Sequence, residues 1–126
     1  MSNNNKIDEE FKIGKKAEIV ITYTLDVTTN RKNFPVKYRR IVDRMQIYAF
    51  EIFDNVMDAN ECDVCTEALE RRRLQTRAIS ICNRLLVLIN YCLSKNLISS
   101  ATCETWTEHV CNVKYMTLHW RTREKR

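Results

Sequence analysis

From Leu74 onward, apolar side chains return at Leu74, Ala78, Ile81, Leu85, Leu88 and Cys92, in alternating steps of four and three. That rhythm places them on one face of an α-helix and predicts a buried seam. An earlier segment repeats it through Tyr38, Ile41, Met45, Tyr48, Ile52 and Val56. It opens just after Pro35, whose missing N–H has no partner to lose in a first helical turn. Ile13, Ala17, Val20, Thr24 and Val27 trace a first such face, and Trp106, Val110, Val113, Met116 and Trp120 a last one. Four helices are predicted, over about residues 9–29, 35–58, 66–95 and 100–121.

The breaks between these faces are short: TTNRKNFP, DANECDVC and NLISSAT, where Ser99 or Ser100 is placed to cap the incoming helix. Short connections make successive helices antiparallel. The expected fold is all-α, an up-down-up-down four-helix bundle forming a single domain over residues 1–126. The β-branched run IVITYT, residues 19–24, favours extended structure, but a lone strand would have no partner, so packing is expected to override it. One glycine, Gly14, and one proline are too few for a sheet protein with frequent tight turns.

Composition then narrows the partners. The chain of 126 residues is 44% hydrophobic, enough for one core, and its 21 Lys and Arg against 16 Asp and Glu give a net charge of +5, which favours polyanions. No apolar run approaches the length of a membrane span, and the polar opening MSNNNKIDEEF lacks a signal-peptide core. A cytoplasmic protein without membrane association is expected. Its six cysteines are then reduced thiols and not a disulfide framework. The closing TREKR reads as a frayed basic end.

Charge is segmented along the chain. Residues 31–44 carry six basic groups and Asp43; residues 51–70 carry seven acids and no base; residues 71–84 carry Arg71, Arg72, Arg73, Arg77 and Arg84 and no acid. On a helical projection Lys37, Arg40 and Arg44 line up beside the second apolar face while Arg39 points away, and Arg73, Arg77 and Arg84 form a matching line beside the third. Two meanings compete. The lines are either solvated flanks neutralised by salt bridges, or arginine forks that clamp phosphate or carboxylate. A turn centred near residue 62 would set Glu51 level with Arg73, favouring neutralisation, and Arg84 level with Arg40 and near Arg44, where no acid shares the face. Glu108 is an alternative partner for Arg84.

Other chemistry is poorly supported. Cys62 and Cys65 have the spacing of half a zinc site, but no second C-x2-C or H-x3-H follows, so no metal ligand is assigned. His109 and His119 are ten residues apart, which is no helical ligand spacing. Trp106 and Trp120 share a face and read as core or interface anchors. The paired carboxylates Asp54 and Asp58 lack the histidines of a di-iron bundle, and one glycine cannot build a phosphate loop. No catalytic residue and no cofactor is expected; the chain is not read as an enzyme.

Three stretches, NRKNFPVKYRRIVDRMQIYAFEIFDNVMDAN, LERRRLQTRAISICNRLLVLINYCLSKNLIS and WTEHVCNVKYMTLHWR, carry a resemblance. Together they resemble the accessory variability determinant (Avd) family of diversity-generating retroelements, within the wider superfamily that includes the protein encoded in 23S rRNA intervening sequences. The likeness runs over about residues 11–121. Its features are FP, a basic YR segment, DRM, an arginine-rich third helix with an R-x6-R pair, and a closing W-R. It implies a homopentameric barrel of four-helix bundles that binds the retroelement's reverse transcriptase and nucleic acid, template RNA or cDNA, without chemistry of its own. The positions it implicates are Arg73, Arg77 and Arg84 on the third helix, with Lys37, Arg40 and Arg44 as counterparts on the second. The CDVC loop and the many cysteines depart from that pattern. Self-assembly is also suggested by Trp120, Tyr115 and Tyr48, which one small core would struggle to bury together. An alternative reading is an oligomeric protein-interaction scaffold of the intervening-sequence type with no nucleic-acid role.

Overall fold

The computed structural model describes residues 2–124, with side chains from Lys12 to Glu124. Four helices, α1 (Ser2–Thr28), α2 (Arg39–Glu61), α3 (Ala68–Ser94) and α4 (Ser100–Glu124), pack as a ring in which α1 touches α2 and α4, and α3 touches α2 and α4. There is no strand among the described residues. The IVITYT run is helical throughout, so burial of Val20 and Thr24 prevails over local preference. Thr28 lies against Gln46 near the start of α2 and Gly14 against Met57 near its end, so the two helices run antiparallel.

Pro35 does not open α2 directly. With φ −60° and ψ 161° it leads into a 3-10 turn, Val36–Tyr38, and the α-helix begins at Arg39. The α2–α3 connection is closed by Asp63, whose Oδ1 accepts from the Cys65 and Thr66 amides at 2.8 Å each, while Glu67 Oε1 accepts from the Asp63 amide at 2.9 Å. The CDVC segment is thus a side-chain-capped turn. α3 ends with Asn96 at φ 59°; the Asn96 amide bonds Leu93 O at 3.0 Å and the Leu97 amide bonds Cys92 O at 2.9 Å. This is the left-handed stop usually made by glycine, here made by asparagine. Ser99 caps α4 by accepting from the Thr102 amide at 3.1 Å.

The seams are right in outline and shifted in detail. Leu74, Ala78, Ile81, Leu85 and Cys92 are buried, but Ile89 takes the place expected for Leu88, which is only partly covered. On α2 the core is Met45, Ala49, Ile52, Val56 and Ala59; Tyr38, Ile41 and Tyr48 sit at its edge. Small Ala49 fills the close-packed centre, where a tyrosine would not fit beside its neighbours. Trp106 and Trp120 are both core residues, and the Trp106 Nε1 donates to Thr24 Oγ1 at 3.0 Å. The TREKR expectation needs correction. α4 continues to Glu124, held by a network described below; Lys125 and Arg126 lie outside the described residues.

Candidate nucleic-acid interface

The relative height of α2 and α3 decides which basic side chains meet. Cys92 Sγ lies 3.8 Å from Met45 Sδ, and Arg71 Nη1 donates to Ala59 O at 3.0 Å. Counting eight residues back from Cys92 and eight forward from Met45 sets Arg84 opposite Phe53. At about 1.5 Å of rise per residue, Arg84 is then roughly 20 Å along the bundle from Arg40 and roughly 14 Å from Arg44. The expected meeting of Arg84 with Arg40 and Arg44 does not occur. Nor does Glu51 reach Arg73. The connection spans residues 62–67 and α2 runs on to Glu61, so the turn is centred later than residue 62 and the register slides.

Each predicted position can now be placed. Arg73 donates from Nε and Nη2 to the Glu70 carboxylate at 2.6 and 2.8 Å, one turn back on its own helix. Both side chains are half exposed or more, so the pair contributes little to stability. The Glu70 carboxyl is held below its ordinary value by this hydrogen bond. Arg77 and Arg84 are exposed on α3, beside the α2 half that carries Glu51, Asp54 and Asp58, yet among the described residues neither makes an ion pair. Arg40 is likewise exposed and unpaired. Glu108 pairs with none of them.

At the other end of α2 the cations lie over aromatic rings. Lys37 Nζ is 5.3 Å from the Tyr38 ring centroid, and the Arg44 guanidinium is 5.8 Å from that of Tyr48, with Nη1 donating to the Tyr48 hydroxyl at 3.3 Å. Lys95, at the close of α3, stands 5.7 Å over Tyr91. The Cys92–Met45 contact brings this lysine level with Val42, so it belongs to the same end as Arg40 and Arg44. Lys95 and Tyr91 have no place in the sequence reading, and Tyr38 and Tyr48 enter it only as apolar positions; the spacing of four in Arg44–Tyr48 and Tyr91–Lys95 is the signal that pairs them with cations. Arg31 and Lys32 in the α1–α2 connection add two more exposed cations there.

Arg71, read from sequence as one of five similar arginines, stands apart. It is 2% exposed and donates to both Glu124 oxygens, to Ala59 O and to Cys62 O. Its guanidinium lies 4.9 Å from the Trp120 ring centroid. Gln75 Nε2 and Trp120 Nε1 also donate to Glu124, at 3.0 and 2.8 Å. Burial opposes ionisation of Glu124, but the hydrogen bonds from Arg71, Gln75 and Trp120 and the Arg71 charge outweigh it and hold the carboxyl below its ordinary value. This arginine clamps the protein's own carboxylate.

The thiols divide by depth. Cys82, Cys92 and Cys103 are buried, Cys62 and Cys111 partly covered, and Cys65 exposed. Among the described residues no three His, Cys, Asp or Glu side chains converge on a point, and no helix is long and apolar enough to cross a membrane. The chain matches no family model, no curated protein and no solved structure.

Proposed function

We propose that this protein is a non-catalytic nucleic-acid-binding accessory, acting with the reverse transcriptase of a diversity-generating retroelement on its template RNA or cDNA. The observation that carries the reading is the set of exposed cations on α2, on α3 and at their ends that no acid among the described residues neutralises. Arg40, Arg77 and Arg84 are free, and Lys37, Arg44 and Lys95 are held over tyrosines. Unpaired arginines release counterions when they meet phosphate, and cations interleaved with aromatic rings suit the flexible backbone and unstacked bases of a single strand. The sequence resemblance supplies the retroelement and the reverse transcriptase; the charges supply the reason for contact.

Assembly belongs to the same proposal. Ile47, Val87 and Tyr115 are 52%, 66% and 58% exposed on α2, α3 and α4, apolar surface suited to contacts between copies, and the resemblance sets the number at five. Light scattering should give five times the 15.0 kDa chain mass; a monomeric mass at micromolar concentration would refute the pentamer. Anisotropy titrations of labelled single-stranded RNA should show log affinity falling linearly with log salt, by about 0.7 per phosphate contacted. The purified reverse transcriptase should co-elute with the protein. The protein-only scaffold draws on Arg73, whose charge is already matched by Glu70, and it predicts co-elution without RNA binding.

A further inference from the structure

A cleft of about 860 Å³ opens under the α1–α2 connection, on the side of α2 turned toward α1. Its size falls within the roughly 300–1,000 Å³ of small-ligand sites. Arg31 and Arg39 stand at its walls, Phe34 and Val42 give it an apolar surface, and Asp43 and Gln46 supply acceptors. Arg39 and Asp43 are four residues apart on one helix, a spacing that permits an ion pair, yet neither has a partner; Arg31 is also unpaired. Gln46 is oriented from behind. Its Nε2 donates to Thr28 Oγ1 at 2.9 Å, and that hydroxyl donates to Thr24 O at 2.7 Å. The amide oxygen is thereby left to accept.

These groups define a complement. A carboxylate offers only acceptors, so it selects a ring edge with adjacent N–H donors; two guanidinium groups select an anion attached to that ring. Among the bases only guanine has such an edge, N1–H beside the N2 amino group. Uracil sets a single N–H between two carbonyls, while adenine and cytosine set a ring acceptor beside their amino group, and a carboxylate repels all three. We propose that this cleft holds one unstacked guanosine nucleotide of a single strand, with Asp43 on the guanine edge, Gln46 accepting beside it, and Arg31 and Arg39 on its phosphate. In a duplex that edge is occupied by cytosine, so the site is specific for single strands. The inference rests on the nucleic-acid reading above but uses residues that reading does not.

The test compares a labelled oligouridine carrying one central guanosine with the all-uridine strand, and adds guanosine monophosphate alone by calorimetry. The parent protein should prefer the guanosine strand by about tenfold, the scale of one good bidentate base contact. Asp43→Asn should erase that preference while keeping affinity for the all-uridine strand. Arg31→Ala with Arg39→Ala should weaken both strands and flatten the salt slope by about 0.7, the share of the one phosphate they hold. Melting should be unchanged in both variants, because these side chains are exposed and unpaired among the described residues. Equal parental affinity for the two strands, or a guanosine preference that survives Asp43→Asn, overturns the pocket and leaves nucleic-acid binding intact. Binding of the monophosphate, lost in Asp43→Asn, with no binding of either strand sustains the pocket and overturns the nucleic-acid reading. No binding of any probe overturns both.

Discussion

Arg71 and Glu124 close one end of the bundle, joined by three hydrogen bonds with a shortest contact of 2.7 Å. Through the same guanidinium, the end of α2 is tied to the start of α3 and the end of α4. Removing one partner of a buried charge pair strands the other, at a cost of about 3–5 kcal/mol. Arg71→Ala is therefore expected to lower stability by that amount in chemical denaturation, whereas Arg73→Ala, which loses only an exposed pair, should cost under about 1 kcal/mol. Equal costs for the two would contradict the assignment of Arg71 to the interior.

The same carboxylate sets an acid limit. Glu124 ionises more readily in the folded chain than at its ordinary value of 4.5, so its contribution is fully present above that pH and is lost as pH falls through the lower folded value. Glu124→Gln should melt at a lower temperature than the parent near neutrality, with the gap closing on acidification below about pH 4.5. A gap that stays constant down to pH 3 would show that the charge on Glu124 is immaterial.

The one-residue shift in the α3 seam is open to mutation. Ile89 is fully buried and Leu88 only partly, so Ile89→Ala should cost about 2–4 kcal/mol and Leu88→Ala clearly less in the monomeric state. The reverse order would restore the seam expected from spacing alone.

Thiol reactivity should follow depth. Burial pushes the Cys82 thiol up to about 12, aided by neighbouring Cys111, and the Cys92 thiol up to about 11, aided by Cys103. Both remain protonated at mildly alkaline pH and should resist alkylation, while exposed Cys65 reacts first by mass spectrometry. Rapid labelling of Cys82 in the folded protein would contradict the packing of α3 against α4.

The helices were legible because apolar spacing reports which face is buried, and Ile13, Ala17, Val20, Leu85 and Trp106 all lie where that spacing puts them. Periodicity cannot choose between adjacent residues of similar character. Leu88 and Ile89 differ by a rotation of 100°, and neighbouring helices decide between them. The register of α2 against α3 was less legible still, since a shift of the turn by a few residues moves Arg84 many ångströms relative to Arg40. Arg71, Arg72 and Arg73 are identical letters in sequence, but one faces the Glu124 carboxylate and another pairs with Glu70. The cleft beside Arg39 depends on the path of the α1–α2 connection around Phe34 and Pro35, which no local pattern specifies.

The central claim is that the free cations serve binding and not folding, and Arg77→Ala combined with Arg84→Ala tests it most directly. The measurement is the affinity of single-stranded RNA against salt concentration, with thermal melting of the same samples and Lys16→Ala as a charge control on α1. The account predicts unchanged or slightly higher melting, weaker binding, and a salt slope flatter by about 0.7 for each lost phosphate contact. A double variant that melts several degrees lower yet keeps the parental affinity and slope would contradict it.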